Sequence, residues 1–388
     1  MCHLVTHALA SRSATSEISL LSYTSQLRGH FEFPHLHLNP PPSPLIILLS
    51  KCRTQNIMAD STPSEVSSRD QNCLKYTIGW ICVRVIQQTV AIMMLDESHA
   101  DVDKHHNDPN TYNLGRMGQH NVVIACLPQN QGGSNTAATI AVWMTTTFPE
   151  IKLCLLVGLG SGIPHKVRLG DVVVGMPYDE LPGVVEWHSD RKKTTAEMGH
   201  PPAILLSALT KIKTNHAIYG FKLPKYLTKI KENERLARIY LVSDVLRDPL
   251  CNEDRPGIAT EVHTQLKRTE LAQDYKSGQR DMEVHYGLIA STSRPIRDKD
   301  SRESLDSNLG NHHLLCVETE VSGLVTKFPC LVIRGICDYL CEYDGNHKGW
   351  QGPASAVAAA FAKEVISVLP VTEVACLPTI QSMGASVF

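Results

Sequence analysis

The chain has 388 residues, 43% of them hydrophobic, with a formal net charge of −2 at pH 7. That length can bury a sizeable core in one large domain or two small ones, and the near-neutral charge gives no electrostatic footprint for nucleic acid. The 12 cysteines form no C-x-x-C pair and the 18 histidines are dispersed, so neither a metal nor any other bound cofactor is expected. The most apolar early run, P-L-I-I-L-L-S at 44–50, falls well short of the roughly 20 residues that cross a bilayer. It also lies late in the chain, after P-P-P-S-P, so a secretory signal is not expected.

Residues 1–75 read as a disordered N-terminal extension. Met58 opens the polar lead-in M-A-D-S-T-P-S-E-V-S-S, which resembles a natural N-terminus, so 1–57 is expected to be either outside the native protein or a dispensable tail. From 76 to 85 the β-formers of Y-T-I-G-W-I-C-V-R-V predict the first strand, and helical spacing follows over 86–96. The runs 111–116 and 121–127 flank M-G-Q-H and predict a hairpin. A Gly-rich loop at 130–134 feeds a helix over 135–147. The apolar run 153–157 predicts a buried strand that the glycines of G-L-G-S-G terminate, and another strand is expected at 171–176. Cys82, Cys126, Cys154 and Cys330 lie inside such apolar runs and read as buried hydrophobes of a reducing, cytoplasmic setting.

Residues 207–283 break this rhythm, being rich in Lys, Arg and Glu, and predict exposed helices and loops. Order returns with a strand at 284–290, a helix at 298–309, a strand at 314–317 leading into a helix from Glu320, and a strand at 330–336. An Ala-rich final helix is expected at 353–368, and 371–388 reads as a tail. Strands alternating with helices predict a three-layer α/β/α domain around a central mixed β-sheet over 76–370.

Two acidic positions stand out. C-V-E-T-E-V-S-G-L (316–324) places Glu318 and Glu320 at a strand end, and C-L-V-I-R-G-I-C-D-Y (330–339) ends a buried strand on Asp338. Carboxylates at strand ends of an α/β sheet commonly face a ligand crevice. One can accept hydrogen bonds from a sugar while the other handles a proton on a leaving group, which suits cleavage of a bond between a sugar and a nitrogen base. Gly133 and Ser134 lie at a helix start, where free N–H groups can bind an anion.

These two segments resemble the nucleoside phosphorylase and nucleosidase superfamily (purine and uridine phosphorylase-like), in its fungal branch. The resemblance continues, in the family's order, through Y-T-I-G-W-I-C (76–82), V-G-L-G-S-G-I-P (157–164), V-R-L-G-D-V-V-V (167–174), H-Y-G-L-I-A-S (285–291) and W-Q-G-P-A-S-A-V-A-A-A-F-A-K-E (350–364). It implies a phosphorylase/hydrolase-like fold and N-glycosidic cleavage of a purine nucleoside. By this likeness Glu320 accepts hydrogen bonds from the ribose 2′- and 3′-hydroxyls, with Glu318 and Thr319 beside it. Gly158 and Gly160 let sugar and nucleophile approach the backbone, and Asp338 protonates the base, which requires a raised pKa. Arg168 of R-L-G-D is structural. A nucleoside is the expected partner, phosphate is the co-substrate if the enzyme is a phosphorylase, and a homo-oligomer follows from the family habit.

The sequence departs from the family after the first strand. A-L-P-I-E is usual there, its glutamate activating water in nucleosidases, whereas this chain has V-R-V-I-Q with Gln87 at that place. Gln cannot accept a proton, so hydrolysis would lose something like the 10²–10⁴ typical of a general base. Phosphorolysis would lose less, because phosphate is already anionic. Leu156 and Val157 stand where superfamily phosphorylases often carry an Arg, Thr319 replaces a usual Met, and S-R-P-I (293–296) departs from the base-contact segment. The competing reading is a catalytically weakened nucleoside-sensing or interaction domain. A Rossmann dehydrogenase is a third and weaker alternative, because the Gly-rich turn does not follow the first strand.

Overall fold

In the computed structural model the described residues are 72–128, 134–164, 166–188, 193–195, 199–242, 246, 248, 282–320, 328–340 and 347–384. The chain divides into Met1–Asp60 and Ser61–Phe388, and every described residue falls in the second unit. Eleven strands of this unit join one mixed sheet. They are β1 (Ile78–Cys82), β2 (Glu97–Ser98), β3 (Tyr112–Met117), β4 (His120–Cys126), β5 (Leu153–Gly162), β6 (Val172–Gly175), β7 (Val184–His188), β8 (Lys193–Thr195), β9 (Val284–Thr292), β10 (Leu314–Glu318) and β11 (Cys330–Tyr339). The path runs β2-β3-β4-β1-β5-β11-β6-β9-β7-β8, and β10 pairs with both β5 and β9.

The central strands are continuous apolar runs because parallel neighbours flank them and helices cover both faces. β1 lies parallel between β4 and β5, and all five of its residues are buried. Successive side chains point to opposite faces. Ile78, Trp80 and Cys82 therefore join one core while Ile81 joins the other. Helix α1 (Val85–Met93) packs in the first core and α2 (Ser134–Thr147) in the second. The first core also receives α3 (Ala203–Tyr219), the short helices α4 (Leu223–Tyr226), α5 (Thr228–Glu232) and α6 (Glu234–Tyr240), and, past α7 (Lys299–Leu309), the long α8 (Gln351–Val368). The result is a three-layer α/β/α fold. A smaller third cluster sets Leu305 and Leu309 of α7 against Trp187, Leu288 and Leu314.

The alanines of α8 allow a close approach to β11. A Cβ added at Gly335 would lie 2.0 Å from the carbonyl oxygen of Ala354, so this strand residue has to be glycine. At the predicted hairpin, Gly118 supplies the positive φ of 60° that its tight turn requires.

Several boundaries differ from the sequence reading. The glycines of G-L-G-S-G do not terminate β5, because they pair along their length with β11: Gly158 opposite Arg334, Leu159 opposite Gly335, Gly160 opposite Ile336. Asp338 lies inside β11 and not at its end, just past a register shift, opposite Ser161. The start of the divergent 207–283 segment is not exposed throughout. α3 buries Leu205, Ala208, Leu209 and Ile212, whose helical spacing packs one side of the helix against the core. The expected 371–388 tail contains α9 (Val371–Cys376) and α10 (Ile380–Gly384), anchored in the cores by Val374 and Ile380. Residues 72–75, assigned to the extension, form a turn that buries Cys73. The remainder of the extension and the expected helix after Glu320 lie outside the described residues.

Candidate functional site

Arg334 interrupts the apolar run of β11 with a fully buried guanidinium. A charge there is tolerable only if it is paired and hydrogen-bonded. β10, running antiparallel to β5, brings the partners. Arg334 Nη2 donates to Glu318 Oε2 at 2.8 Å and Nη1 donates to Glu320 Oε2 at 3.0 Å. The Glu320 backbone N–H donates to the same Glu318 oxygen at 2.8 Å. Glu318 is fully enclosed, and burial pushes its carboxyl above the usual range, against the opposing pull of Arg334 and of the Glu320 backbone N–H. Glu320 is 10% exposed at its side chain, and its second oxygen, Oε1, lies 3.7 Å from Nε of the half-exposed Arg84.

Gly158 is what makes room for this cluster. A Cβ at Gly158 would fall 2.1 Å from Arg334 Nη1 and 3.3 Å from Gln87 Nε2. At Gly160 it would meet the Arg334 Cβ at 3.3 Å, Cys316 Sγ at 3.4 Å and the Val317 carbonyl oxygen at 3.5 Å. On their Cβ sides, then, both glycines are approached by protein. The space a side chain would take at Gly158 is filled by the arginine that holds the two glutamates.

Gln87 stands in the first turn of α1. Its Oε1 accepts from the backbone N–H of Val83 at 2.8 Å and of Arg84 at 3.2 Å, capping the helix. Among the described residues its buried Nε2 has no hydrogen-bond partner, and neither has Nε of Arg334. Asp338 lies in the same neighbourhood. Burial pushes the thiols of Cys316 and Cys337 well up, and the carboxylate of Asp338 beside both adds to that shift. Cys126, near Glu320, is pushed up to about 11, again mainly by burial. These thiols stay protonated at neutral pH and do not provide a thiolate nucleophile.

The fold thus gathers Gln87, Gly158, Gly160, Glu318 and Glu320, residues up to 233 positions apart in the sequence, around Arg334, while Asp338 lies four residues further along the same strand. Thr319 sits between the two glutamates, partly buried. Gly133 lies outside the described residues. Ser134 begins α2, but its side chain is also outside them, so the anion site assigned to the pair has no structural counterpart to compare. Sequence reasoning missed Arg334 and Arg84. The signal for Arg334 was available: an arginine inside V-I-R-G-I needs a buried acid, and E-T-E lies 14 residues upstream of it, counting from Glu320. Arg84 had no comparable signal, since it becomes a partner of Glu320 only through the junction of β1 and α1.

One further set of ligand-type atoms converges, at Asp171, Glu283 and His285. Asp171 Oδ2 already receives the Arg168 backbone N–H at 2.9 Å and its Nε at 3.4 Å, and lies 2.9 Å from His285 Nε2. The guanidinium supplies the positive charge that a metal would bring, so this set is an ion-pair network.

The molecule is therefore an α/β/α protein with a buried arginine–dicarboxylate cluster at the heart of its sheet. No family model matches the chain. It is similar to a nucleotide-binding leucine-rich repeat (NLR)-like protein of Hyaloscypha variabilis, 33% identical over 307 residues, which are 76% of this chain and 29% of that protein. The chain spans less than a third of the length of this curated relative. Among solved structures it is similar to the 5′-methylthioadenosine/S-adenosylhomocysteine nucleosidase of Neisseria meningitidis, at 15% identity and a TM-score of 0.47 over 76% of this chain and 100% of that one. The corresponding S. pneumoniae enzyme gives the same four figures. Futalosine hydrolase of Helicobacter pylori is 14% identical, with a TM-score of 0.42 over 75% of this chain and 97% of its own. Likenesses of that degree assign no reaction to this chain.

Proposed function

We propose that this chain binds a purine nucleoside and cleaves its N-glycosidic bond, with Glu320 receiving the ribose hydroxyls and Asp338 passing a proton to the departing base. The observation that carries this reading is the state of Glu320. Arg334 anchors one of its oxygens from the buried side, while the other oxygen faces the half-exposed Arg84. A carboxylate so held is preorganised as an acceptor for a vicinal diol, and it stabilises positive charge developing on the sugar. Glu318 serves this arrangement from behind as a positioning residue: it is fully enclosed, it bonds Arg334, and it receives the Glu320 backbone N–H. Asp338, one strand residue past a register shift, is the remaining carboxylate of the neighbourhood and the natural proton donor to the base.

A second reading has its own observation. The oxygen of Gln87 is spent on the helix cap, so no water-activating base stands at that position. A nucleoside-sensing domain that binds without turnover fits this, and it also fits the likeness to part of an NLR-like protein. One assay separates the two: base release from a panel of purine nucleosides, with and without phosphate, followed by equilibrium binding of the same panel. Release that Asp338→Asn slows while sparing affinity supports cleavage. Binding without release supports sensing, and a chain that does neither sinks both.

A further inference from the structure

The pairing of β11 with β5 shifts between Ile336 and Asp338, which leaves Cys337 as the extra residue of a bulge. Strict alternation would place Asp338 on the side of Val332 and Ile336 and send Tyr339 to the other. Instead Tyr339 joins Val332 and Ile336 in one core, and Asp338 is left partly exposed between the buried Cys337 and Tyr339. The segment 168–171 grips the strand on both sides of this bulge. Before it, the Gly170 N–H donates to the Ile336 carbonyl at 2.7 Å, and the Ile336 N–H donates to the Asp171 carbonyl at 2.9 Å. Beyond it, the Leu169 N–H donates to the Tyr339 hydroxyl oxygen at 3.2 Å, and that hydroxyl donates to Asp248 Oδ2 at 2.7 Å. The same Asp248 oxygen accepts from the Leu169 N–H at 3.3 Å, so the three groups touch one another pairwise.

Asp248 is only 5% exposed, and a carboxylate is tolerated in such a place only where hydrogen bonds compensate its lost water. It belongs to the divergent 207–283 stretch, and no motif of the chain marks it. We infer that Asp248 is a positioning residue for Asp338: through the Tyr339 hydroxyl it fixes the bulge of β11, and with it the direction of the Asp338 carboxyl. The inference rests on the proton-donor role proposed above for Asp338 and deepens it by naming what aims the donor. Tyr339 is the next residue along the strand, so its ring cannot shift without turning the Asp338 backbone. A strand that regains its register past a bulge sends each following side chain to the opposite face. Even a smaller drift matters, since a misplacement of about 1 Å can slow a reaction 10²-fold. Asp248 acts here as a hydrogen-bond acceptor and not as a charge, so an asparagine in its place retains the function.

Three variants of the full chain test this: Asp248→Ala, Tyr339→Phe and the conservative Asp248→Asn. Two readouts are taken on each. One is the kinetics of base release from purine nucleosides. The other is the side-chain carboxyl NMR resonance of Asp338 in aspartate-labelled protein, assigned with Asp338→Asn. Asp248→Ala and Tyr339→Phe should lower kcat roughly 100-fold with KM unchanged, and both should move the Asp338 resonance. Asp248→Asn should restore the rate and the resonance. If Asp248→Ala fails to fold, Tyr339→Phe, which keeps the ring in its core, carries the test. With an active wild type, either readout left unchanged overturns the inference, and a lower melting temperature alone would make Asp248 a brace of the fold. Raised KM with kcat intact would overturn it too, as would an Asp248→Asn that is as slow as Asp248→Ala, because charge would then be what matters. A wild type that releases no base defeats the proposed function, and the resonance then decides the inference by itself. Moved by Tyr339→Phe and restored in Asp248→Asn, it leaves Asp248 as the residue that places Asp338; unmoved, it removes that role.

Discussion

Arg334 and Arg168 are both buried arginines with acidic neighbours on one sheet, yet their surroundings differ in a way that separates scaffold from site. Around Arg168 every strong acceptor is used. Asp171 takes two bonds from Arg168, lies beside His285, and accepts the Glu283 backbone N–H at 3.3 Å, while Glu283 faces Arg168 Nη2 at 3.4 Å. Around Arg334 the pairing is strong but incomplete: Arg334 Nε and Gln87 Nε2 are donors with no acceptor, and Glu320 keeps an oxygen toward a half-exposed cation. A buried polar network that is complete fixes a fold, whereas one that leaves donors facing inward has capacity for a ligand. Counting charges alone would have made the two clusters equivalent.

The largest expected effect tests whether Arg334 is the keystone. Arg334→Met removes the cation between two buried carboxylates and should cost about 3–5 kcal/mol in chemical denaturation, the penalty for stranding a buried charge. A loss near zero would mean the carboxylates reach solvent, and the contrast with Arg168 would disappear. Asp171→Asn, at the complete cluster, should cost about 1.5–3 kcal/mol, the worth of hydrogen bonds to a charged group, and leave nucleoside affinity where it was. A drop in affinity there would break the division into scaffold and site.

Glu320→Gln sharpens the comparison from the ligand side. It keeps the shape and one acceptor while removing the charge, so purine nucleoside binding by calorimetry should weaken by about 10-fold to 150-fold, the equivalent of 1.5–3 kcal/mol. Stability should suffer less than in Arg334→Met, because Arg334 retains Glu318. Affinity unaltered by this change would remove Glu320 from the site.

The smallest effect belongs to a pair, a buried lysine and a partly exposed aspartate, that resembles neither cluster. Burial resists ionisation of Asp96, but the Lys363 ammonium at 2.5 Å and the Gly118 N–H outweigh it and hold the carboxyl below its usual 3.8. Its stabilisation is therefore complete above 3.8 and fades as pH falls through the lower folded value. Asp96→Asn should cost under about 1 kcal/mol at pH 7, as expected for a partly exposed pair. The difference from wild type should vanish in denaturation curves run below that window. A difference persisting in strong acid would point to lost packing and not to lost charge.

Much of the site was legible before the structure, for reasons that can be named. Glu318, Glu320 and Asp338 are polar residues at the ends of apolar strand runs, and that pattern marks them whatever their partners are. The packing around Gly158 and Gly160 was not legible, because a glycine in sequence says only that a side chain is excluded. What excludes it, the Arg334 guanidinium, comes from a strand about 175 residues away. The helix α3 was underrated for a related reason: the charge of the long segment it opens hid four apolar residues at helical spacing, which suffice to dock it.

The sequence by itself determined the alternation of strands and helices, the two-faced burial of the central strands, and the identity of the carboxylates. These follow from periodicities of two and 3.6 residues, which are local properties of a chain. Only the tertiary structure decided which charges meet. Glu318 and Glu320 face Arg334 because β10 runs antiparallel to β5 while β11 runs parallel to it, a pairing no local pattern encodes. It also decided the meaning of Gln87. In the sequence that residue is a glutamine where the family it resembles carries a glutamate. In the folded chain two backbone N–H groups claim its oxygen and turn its nitrogen inward, so the same side chain caps a helix and presents a donor to the cluster.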